Sequence, residues 1–490
     1  MILIWLIILQ LGAGILSWLL SKRDNRLAAG IALTAVIACL LLTIQLFARF
    51  RPSFAGGGQW LMEYRADWIP AFGISFHLAL DGLSLAMLLL TFFLGALAVL
   101  CSWKEIRQRA GFFYFNLLWT LAGITGVFLA IDLFLFYFFW EVMLIPMFFL
   151  IYIWGDTRRR YAAIKFFLFT QAGGLLMLLS ILAMVIIHAG QAGRYSFDYA
   201  DLLNTTLSPG TAKLIMGGYL LAFAIKLPVV PFHNWLPDAH GEAPTAGSLI
   251  LAGLLLKTGA YGIIRFVITM FPEAAASVSW WAMLAGVIGI IYGAFLAYGQ
   301  TDLKRLIAYT SVSHMGFVML GAFSFSEMAM QGVVMQLLTH GISTGALFAI
   351  AGMLKERLHT RELGRMGGMW TTMPRMGGIA MLFTMASLGL PMLGNFIAEF
   401  FILMGAFQAS VPLTVIASTG LVFAALYSLR MVQKVFLGPP SVENITFDLD
   451  ARELVVLGAL SVSIVLLGLF PQPVFDMITN VIRNLNHTYE

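Results

Sequence analysis

Six ionisable side chains lie deep inside long apolar stretches of this sequence: Glu141, Lys226, Lys257, His314, His340 and Glu399. A charged group at bilayer depth costs about 3 kcal/mol on insertion scales and more by simulation, so such residues mark pathways for charge. The mix is that of a proton relay. Buried acids and lysines change protonation when a nearby charge changes, and imidazole titrates nearest neutral pH. No cluster of acids and hydroxyls marks a cation cage. Cys39 and Cys101 form no ligand pattern, so neither metal nor iron–sulfur cluster is expected.

Lys226 ends the run Phe223-Ala224-Ile225-Lys226, and Pro228 and Pro231 come after it. Proline removes a backbone donor and clashes with the carbonyl four residues back, so the helix must break here. Lys226 then either binds the freed carbonyls, carries protons, or does both. Lys257 sits mid-span in Leu254-Leu255-Leu256-Lys257-Thr258-Gly259-Ala260, too deep to snorkel. His314 comes after Tyr309-Thr310-Ser311-Val312-Ser313, and His340 sits in Thr339-His340-Gly341. Each histidine reads as a relay or as a hydrogen-bonded packing residue. Glu141 and Glu399 are acids in mid-span, and Glu399 lies beyond a second break at Pro391. His233, Asp238 and His240, beside the first break, read as a cytoplasmic mouth. Asp81, Asp132 and the set Asp302, Lys304 and Arg305 read as interfacial or capping groups.

The elements that must hold these groups are membrane helices. The 490 residues are 60% hydrophobic and 11% charged, with a mean hydropathy of +0.90; soluble domains carry about 25% charged residues. The reading is an all-α polytopic protein of about 14 spans, each needing about 20 apolar residues. The seventh (212–233) and twelfth (374–404) are discontinuous. Residues 1–110 hold spans one to three, 111–272 a first five-helix repeat, 273–438 a second, inverted repeat, and 439–490 a loop and the last span. The repeat rests on a shared offset, since Glu141 to Lys226 and His314 to Glu399 are both 85 residues apart (226 − 141 and 399 − 314). Inverted repeats with broken helices are a common transporter plan.

The first span, from Met1, reads as retained rather than cleaved. Residues 196–211 allow a short surface helix, and 439–452 reads as a loop. The pairs Gly173-Gly174 and Gly367-Gly368 read as helix-packing glycines rather than a nucleotide loop. Among the short loops, basic residues fall in the odd-numbered ones (Lys22, Arg23 and Arg26; Lys104, Arg107 and Arg109; Arg158 to Arg160; Lys304 and Arg305; Lys355, Arg357, Arg361 and Arg365), while the longer loops two and six carry scattered ones. The net charge of +5 therefore sets topology and does not signal nucleic acid. Odd loops are expected on the cytoplasmic side, with both termini on the opposite side.

The runs Phe139-Trp140-Glu141, Lys226-Leu227-Pro228-Val229-Val230-Pro231, Trp235-Leu236-Pro237-Asp238-Ala239-His240, Ala243-Pro244-Thr245 and Leu306-Ile307-Ala308-Tyr309-Thr310-Ser311-Val312-Ser313-His314-Met315-Gly316 resemble the antiporter-like membrane subunits of respiratory complex I. The resemblance covers nearly the whole chain. A glutamate on the twelfth span and no long lateral C-terminal helix set it apart from subunits L and N, which the resemblance makes its expected partners. It implies that Glu141 and Lys226 are a coupled charge pair, Lys257 a central relay, His314 and His340 a bridge, and Glu399 the exit group. It further implies proton translocation driven by NADH–quinone chemistry on other subunits, which carry the flavin and iron–sulfur clusters, with none on this chain. Two alternatives stay open: a subunit of a multi-subunit sodium–proton antiporter, or of a membrane-bound hydrogenase.

Overall fold

The computed structural model describes residues 1–54, 59–439 and 447–486. The chain is mostly helical. Among the described residues, eleven helices are long and apolar enough to cross a membrane. Three further expected spans correspond to helices Pro209–Lys226 and Leu303–Ala322 and to the pair Pro374–Ser387 and Gly394–Ala409. The short helix expected in 196–211 is Tyr199–Leu203. Part of the loop expected at 439–452, residues 440–446, lies outside the described residues.

Two features depart from the expected set of membrane spans, and the first corrects the all-α reading. Met62–Ile69 and Ile74–Leu80 form an antiparallel hairpin, pairing Met62 with Leu80 and Ile69 with Ile74. Its first strand alternates half-buried and exposed side chains, the period-two pattern of a sheet with one covered face. The second is an amphipathic helix, Gln472–Asn486, after the last span. Its Val474, Phe475, Met477 and Ile478 are buried.

The hairpin is clamped by charge. His77 Nδ1 lies 2.6 Å from Asp198 and its Nε2 2.6 Å from Glu63. Burial opposes the imidazolium, but Asp198 and then Glu63 outweigh it and raise the His77 pKa. The opposite face, which carries the basic loops, has its own clamp: Asp156 accepts from Lys355 and, at 2.8 Å, from Arg361. Burial opposes the Asp156 carboxylate, but Lys355 and Arg361 hold its pKa below the usual value.

Between the faces, helices meet through small residues, as expected where lipid removes the hydrophobic drive for association. A Cβ on Gly316 would sit 2.6 Å from the Gly286 carbonyl, and one on Gly286 2.7 Å from that of Gly316. Gly368 instead takes φ 65° just before helix Met369–Thr372, so it serves a turn rather than helix packing.

Candidate proton-relay site

The first broken helix stops at Lys226 and resumes at Trp235. The break does not bind the lysine. Trp235 Nε1 donates to the Ile225 carbonyl at 2.9 Å, Val229 N reaches Ala224 O, and Lys226 Nζ has no hydrogen-bond partner. It lies instead 5.2 Å above the Trp140 ring and 5.6 Å from Phe166, fully buried. The backbone here is pressed against the Lys257 helix: a Cβ on Gly259 would meet Phe223 O at 2.7 Å and Lys226 Cβ at 3.1 Å.

Glu141 lies on helix Leu133–Trp154, next to Trp140. It is within electrostatic range of Lys226 but does not bond it. Gln171 donates to its Oε1 at 3.4 Å. A Cβ on Gly174 would sit 2.8 Å from that oxygen, so this glycine makes room for the carboxylate. Glu141 is half-buried, beside exposed Phe138 and Ile145.

Lys257 sits in Thr245–Ile268, where π-helical turns at Leu251–Leu255 and Ile263–Ile268 bracket a short α-helical stretch. Such turns often mark functional sites because they re-aim side chains and loosen carbonyls. Lys257 Nζ donates to Ala252 O and lies 2.7 Å from His340 Nδ1. Close backbone contact permits this, since a Cβ on Gly341 would be 3.0 Å from Gly253 O.

From His340 the polar groups continue. Its ring centroid is 5.6 Å from that of His314. His314 Nδ1 lies 2.9 Å from Glu399 Oε1, and its Nε2 faces Ser387 at 3.3 Å and Tyr427 at 3.4 Å. Gln336 also donates to Glu399 Oε1, at 3.4 Å. Ser387 is the last residue of the helix before the second break, and Glu399 lies one and a half turns into Gly394–Ala409. Lys257, His340, His314 and Glu399 are thus one buried row, while Glu141 and Lys226 stand near it without a direct bond to it or to each other. His340 Nε2 and Glu399 Oε2 have no protein partner.

The three mouth residues separate. Asp238 bridges Lys165 and Arg305, each at 2.7 Å, at the basic-loop face. His240 lies in the interior. Helix Trp235–Glu242 packs inward after the break, and His240 stacks on Phe348 at 4.4 Å, fully buried, with both ring nitrogens unpartnered. His233 is also buried, edge-on to Tyr292. Asp81, Asp132 and Asp302 do cap helices.

Two buried cations escape the reading of the sequence. Lys304, expected at the interface, is 1% exposed and donates to Ala243 O at 2.8 Å. Arg265 pairs with Asp81 in the interior. Its signal is its place inside the eighth span, eight residues after Lys257 and on the same helical face.

The family model described as "NADH:quinone oxidoreductase/Mrp antiporter, TM" matches residues 130–424. The chain is 52% identical to NADH-quinone oxidoreductase subunit M of Pseudomonas aeruginosa, over 97% of this chain and 96% of that one. It is 49% identical to the subunit of the same name from Escherichia coli K12, over 100% and 98%. Among solved structures, respiratory complex I from Thermus thermophilus superposes with a TM-score of 0.88 at 29% identity, covering 100% of this chain and 99% of that one. The Mrp complex of a Dietzia species shares the fold, with a TM-score of 0.86 at 22% identity over 100% and 98%. The chain therefore belongs to the family of membrane subunits shared by NADH:quinone oxidoreductase and Mrp antiporters.

Proposed function

We propose that this chain is the M-type subunit of a bacterial NADH:quinone oxidoreductase, a translocase, and that it moves protons across the membrane without a redox site of its own. The observation that carries the reading is the buried row Lys257, His340, His314 and Glu399, with two contacts below 3 Å and a 5.6 Å ring separation that one water would bridge. Flavin and iron–sulfur chemistry belongs to partner subunits, and subunits L and N are the membrane neighbours. Fourteen spans in two inverted repeats, with both termini on the periplasmic side, fit the matching breaks and the basic loops. In this topology the face carrying Asp156, Lys355 and Arg361 is cytoplasmic.

A proton taken up from that face loads Lys226 or Lys257; buried His240 and Lys304 lie on the same side of Lys257 and offer a way in. It passes to His340, His314 and Glu399, then leaves on the hairpin side. A charge moving in a neighbouring subunit acts through half-buried Glu141 on Lys226, which no hydrogen bond pins in place. Moving one charge against about 100 mV costs about 2.3 kcal/mol, and a shift of about two pKa units supplies about 2.7 kcal/mol. One such switch is large enough to drive a step.

The test is Glu141→Ala and Lys226→Ala in the assembled complex, monitoring NADH-driven proton uptake by vesicles. Each is expected to lose most pumping. Normal pumping by correctly assembled variants would refute the reading. The antiporter alternative is separated by the chains that co-purify: peripheral flavin and iron–sulfur subunits mean the oxidoreductase, and a nickel-bearing partner a hydrogenase.

A further inference from the structure

We propose that Arg265, held by Asp81 and Tyr261, is a fixed-charge seal on the hairpin side of Lys257 that stops a proton on Lys257 from escaping directly and turns it towards His340. The inference rests on the relay proposed for Lys257 and adds a residue set that the relay does not use.

Lys257, Tyr261 and Arg265 occupy positions i, i+4 and i+8 of one helix, so they lie on one face over roughly 12 Å. Lys257 therefore has two polar ways out: sideways to His340, or along its own helix to Arg265 and Asp81, the residue that caps Gly82–Glu105. The two differ in how their polar atoms are satisfied. Along the helix they are held by protein. Tyr261 Oη donates to Phe128 O at 3.0 Å, faces Ser84 Oγ at 3.1 Å and accepts from Arg265 Nε at 3.3 Å. Arg265 Nη2 donates to Asp81, which also accepts from Ser84 N at 2.8 Å. The pair is buried, with side chains 7% and 3% exposed, and Trp60 covers the guanidinium at 5.1 Å.

Sideways two atoms are left open: among the described residues, His340 Nε2 and Glu399 Oε2 have no partner. Water joins groups that need partners, so a proton wire runs where they are unsatisfied. A guanidinium keeps its charge at any physiological pH. A positive charge lining a pore raises the barrier to protons and cations. A guanidinium locked in a satisfied ion pair in one direction and open acceptors in the other turn the proton towards His340.

The test uses the assembled complex in proteoliposomes, with an imposed pH gradient, no NADH and no quinone, and decay normalised to the amount of complex. The neutral pair Arg265→Gln with Asp81→Asn keeps polar groups in place and removes the fixed guanidinium together with its counter-ion. Its gradient is expected to decay at least about tenfold faster, the factor that 1.4 kcal/mol of barrier represents. Arg265→Lys keeps a cation and should decay at the slow parental rate; Lys257→Met added to the neutral pair should restore slow decay. Slow decay in the neutral pair would overturn the seal, whether or not pumping survives. If that pair assembles poorly, Arg265→Gln alone carries the same expectation on the fraction that assembles. Lys257→Met by itself separates the two ideas. Normal pumping there sinks the relay reading, and the leak measurement still judges the seal.

Discussion

Replacing Glu399 by glutamine tests the far end of the row. Glutamine keeps the shape and an acceptor oxygen but removes the negative charge that faces His314 Nδ1 at 2.9 Å. Coulomb's law at an effective dielectric of about 20 gives roughly 6 kcal/mol for two unit charges at such a separation. Desolvation and the remaining partners, Gln336 and Ser387, reduce this. Removing one member of a buried pair typically costs about 3–5 kcal/mol. Even about 3 kcal/mol on the step that places a proton on His314 slows it by more than about a hundredfold. In proteoliposomes carrying the assembled complex, Glu399→Gln should therefore lower the proton-to-electron ratio by this subunit's share, or lower NADH turnover with it if the subunits are strictly coupled. His314→Gln should match it, and the double variant should be no worse than either, as for two residues acting as one unit. An assembled Glu399→Gln complex with parental ratio and parental turnover would refute the reasoning.

Gly259→Ala should disturb the relay without touching a charge. Its Cβ would lie 2.7 Å from Phe223 O and 2.9 Å from Leu227 N, an overpacking worth about 1–3 kcal/mol that must move the Lys226 break; Gly217→Ala, with open space around it, is the neutral control. Pumping unchanged in Gly259→Ala would show that the close approach does not matter. The hairpin clamp should depend on pH. The folded His77 pKa is raised, so its contribution is complete below the unfolded value of about 6.5 and is lost as pH rises through the folded value. The Asp198 pKa is lowered, because His77 and other donors outweigh burial. Its contribution is present above about 3.9 and is lost only as pH falls through the lower folded value. Hydrogen exchange across residues 62–80, corrected for intrinsic rates, should show protection falling from pH 6 to 9. His77→Gln should abolish that slope, and an equal slope in the variant would exclude the clamp as its cause.

Apolar runs made the helices legible, because a segment in lipid must satisfy its backbone internally and advertises this by composition. The hairpin left a signal that the expected architecture did not use: Met62-Glu63-Tyr64-Arg65-Ala66-Asp67 and Ile74-Ser75-Phe76-His77 alternate apolar and polar residues, but the run is short and lies in a longer loop between apolar spans. Both breaks could be placed because proline acts locally. The direction the chain takes beyond a break is set by distant packing, so the sequence places His240 only beside the break, as part of a mouth, whereas helix Trp235–Glu242 carries it into the interior. Lys304 was hidden for a related reason. A lysine at a span edge reads as snorkelling to water, yet here the Ala243 carbonyl receives it inside the protein.

The equal spacing of 85 residues, 226 − 141 and 399 − 314, located two pairs but not their difference. His314 and Glu399 touch, at 2.9 Å. Glu141 and Lys226 do not, and Lys226 rests on the rings of Trp140 and Phe166. A buried pair in contact is costly to separate, by about 3–5 kcal/mol when one partner is lost. An unbonded lysine on an aromatic face is held by about 2 kcal/mol where it is desolvated, the size of the driving force available from one charge crossing about 100 mV. The pair that can be moved cheaply lies beside a half-buried acid and an exposed apolar surface, where a neighbouring subunit can act on it. In the proposed relay the pair that resists movement lies at the opposite end, where it would retain a proton until release. The hydrogen bond present in one pair and absent from the other gives the two pairs different work in the proposed relay.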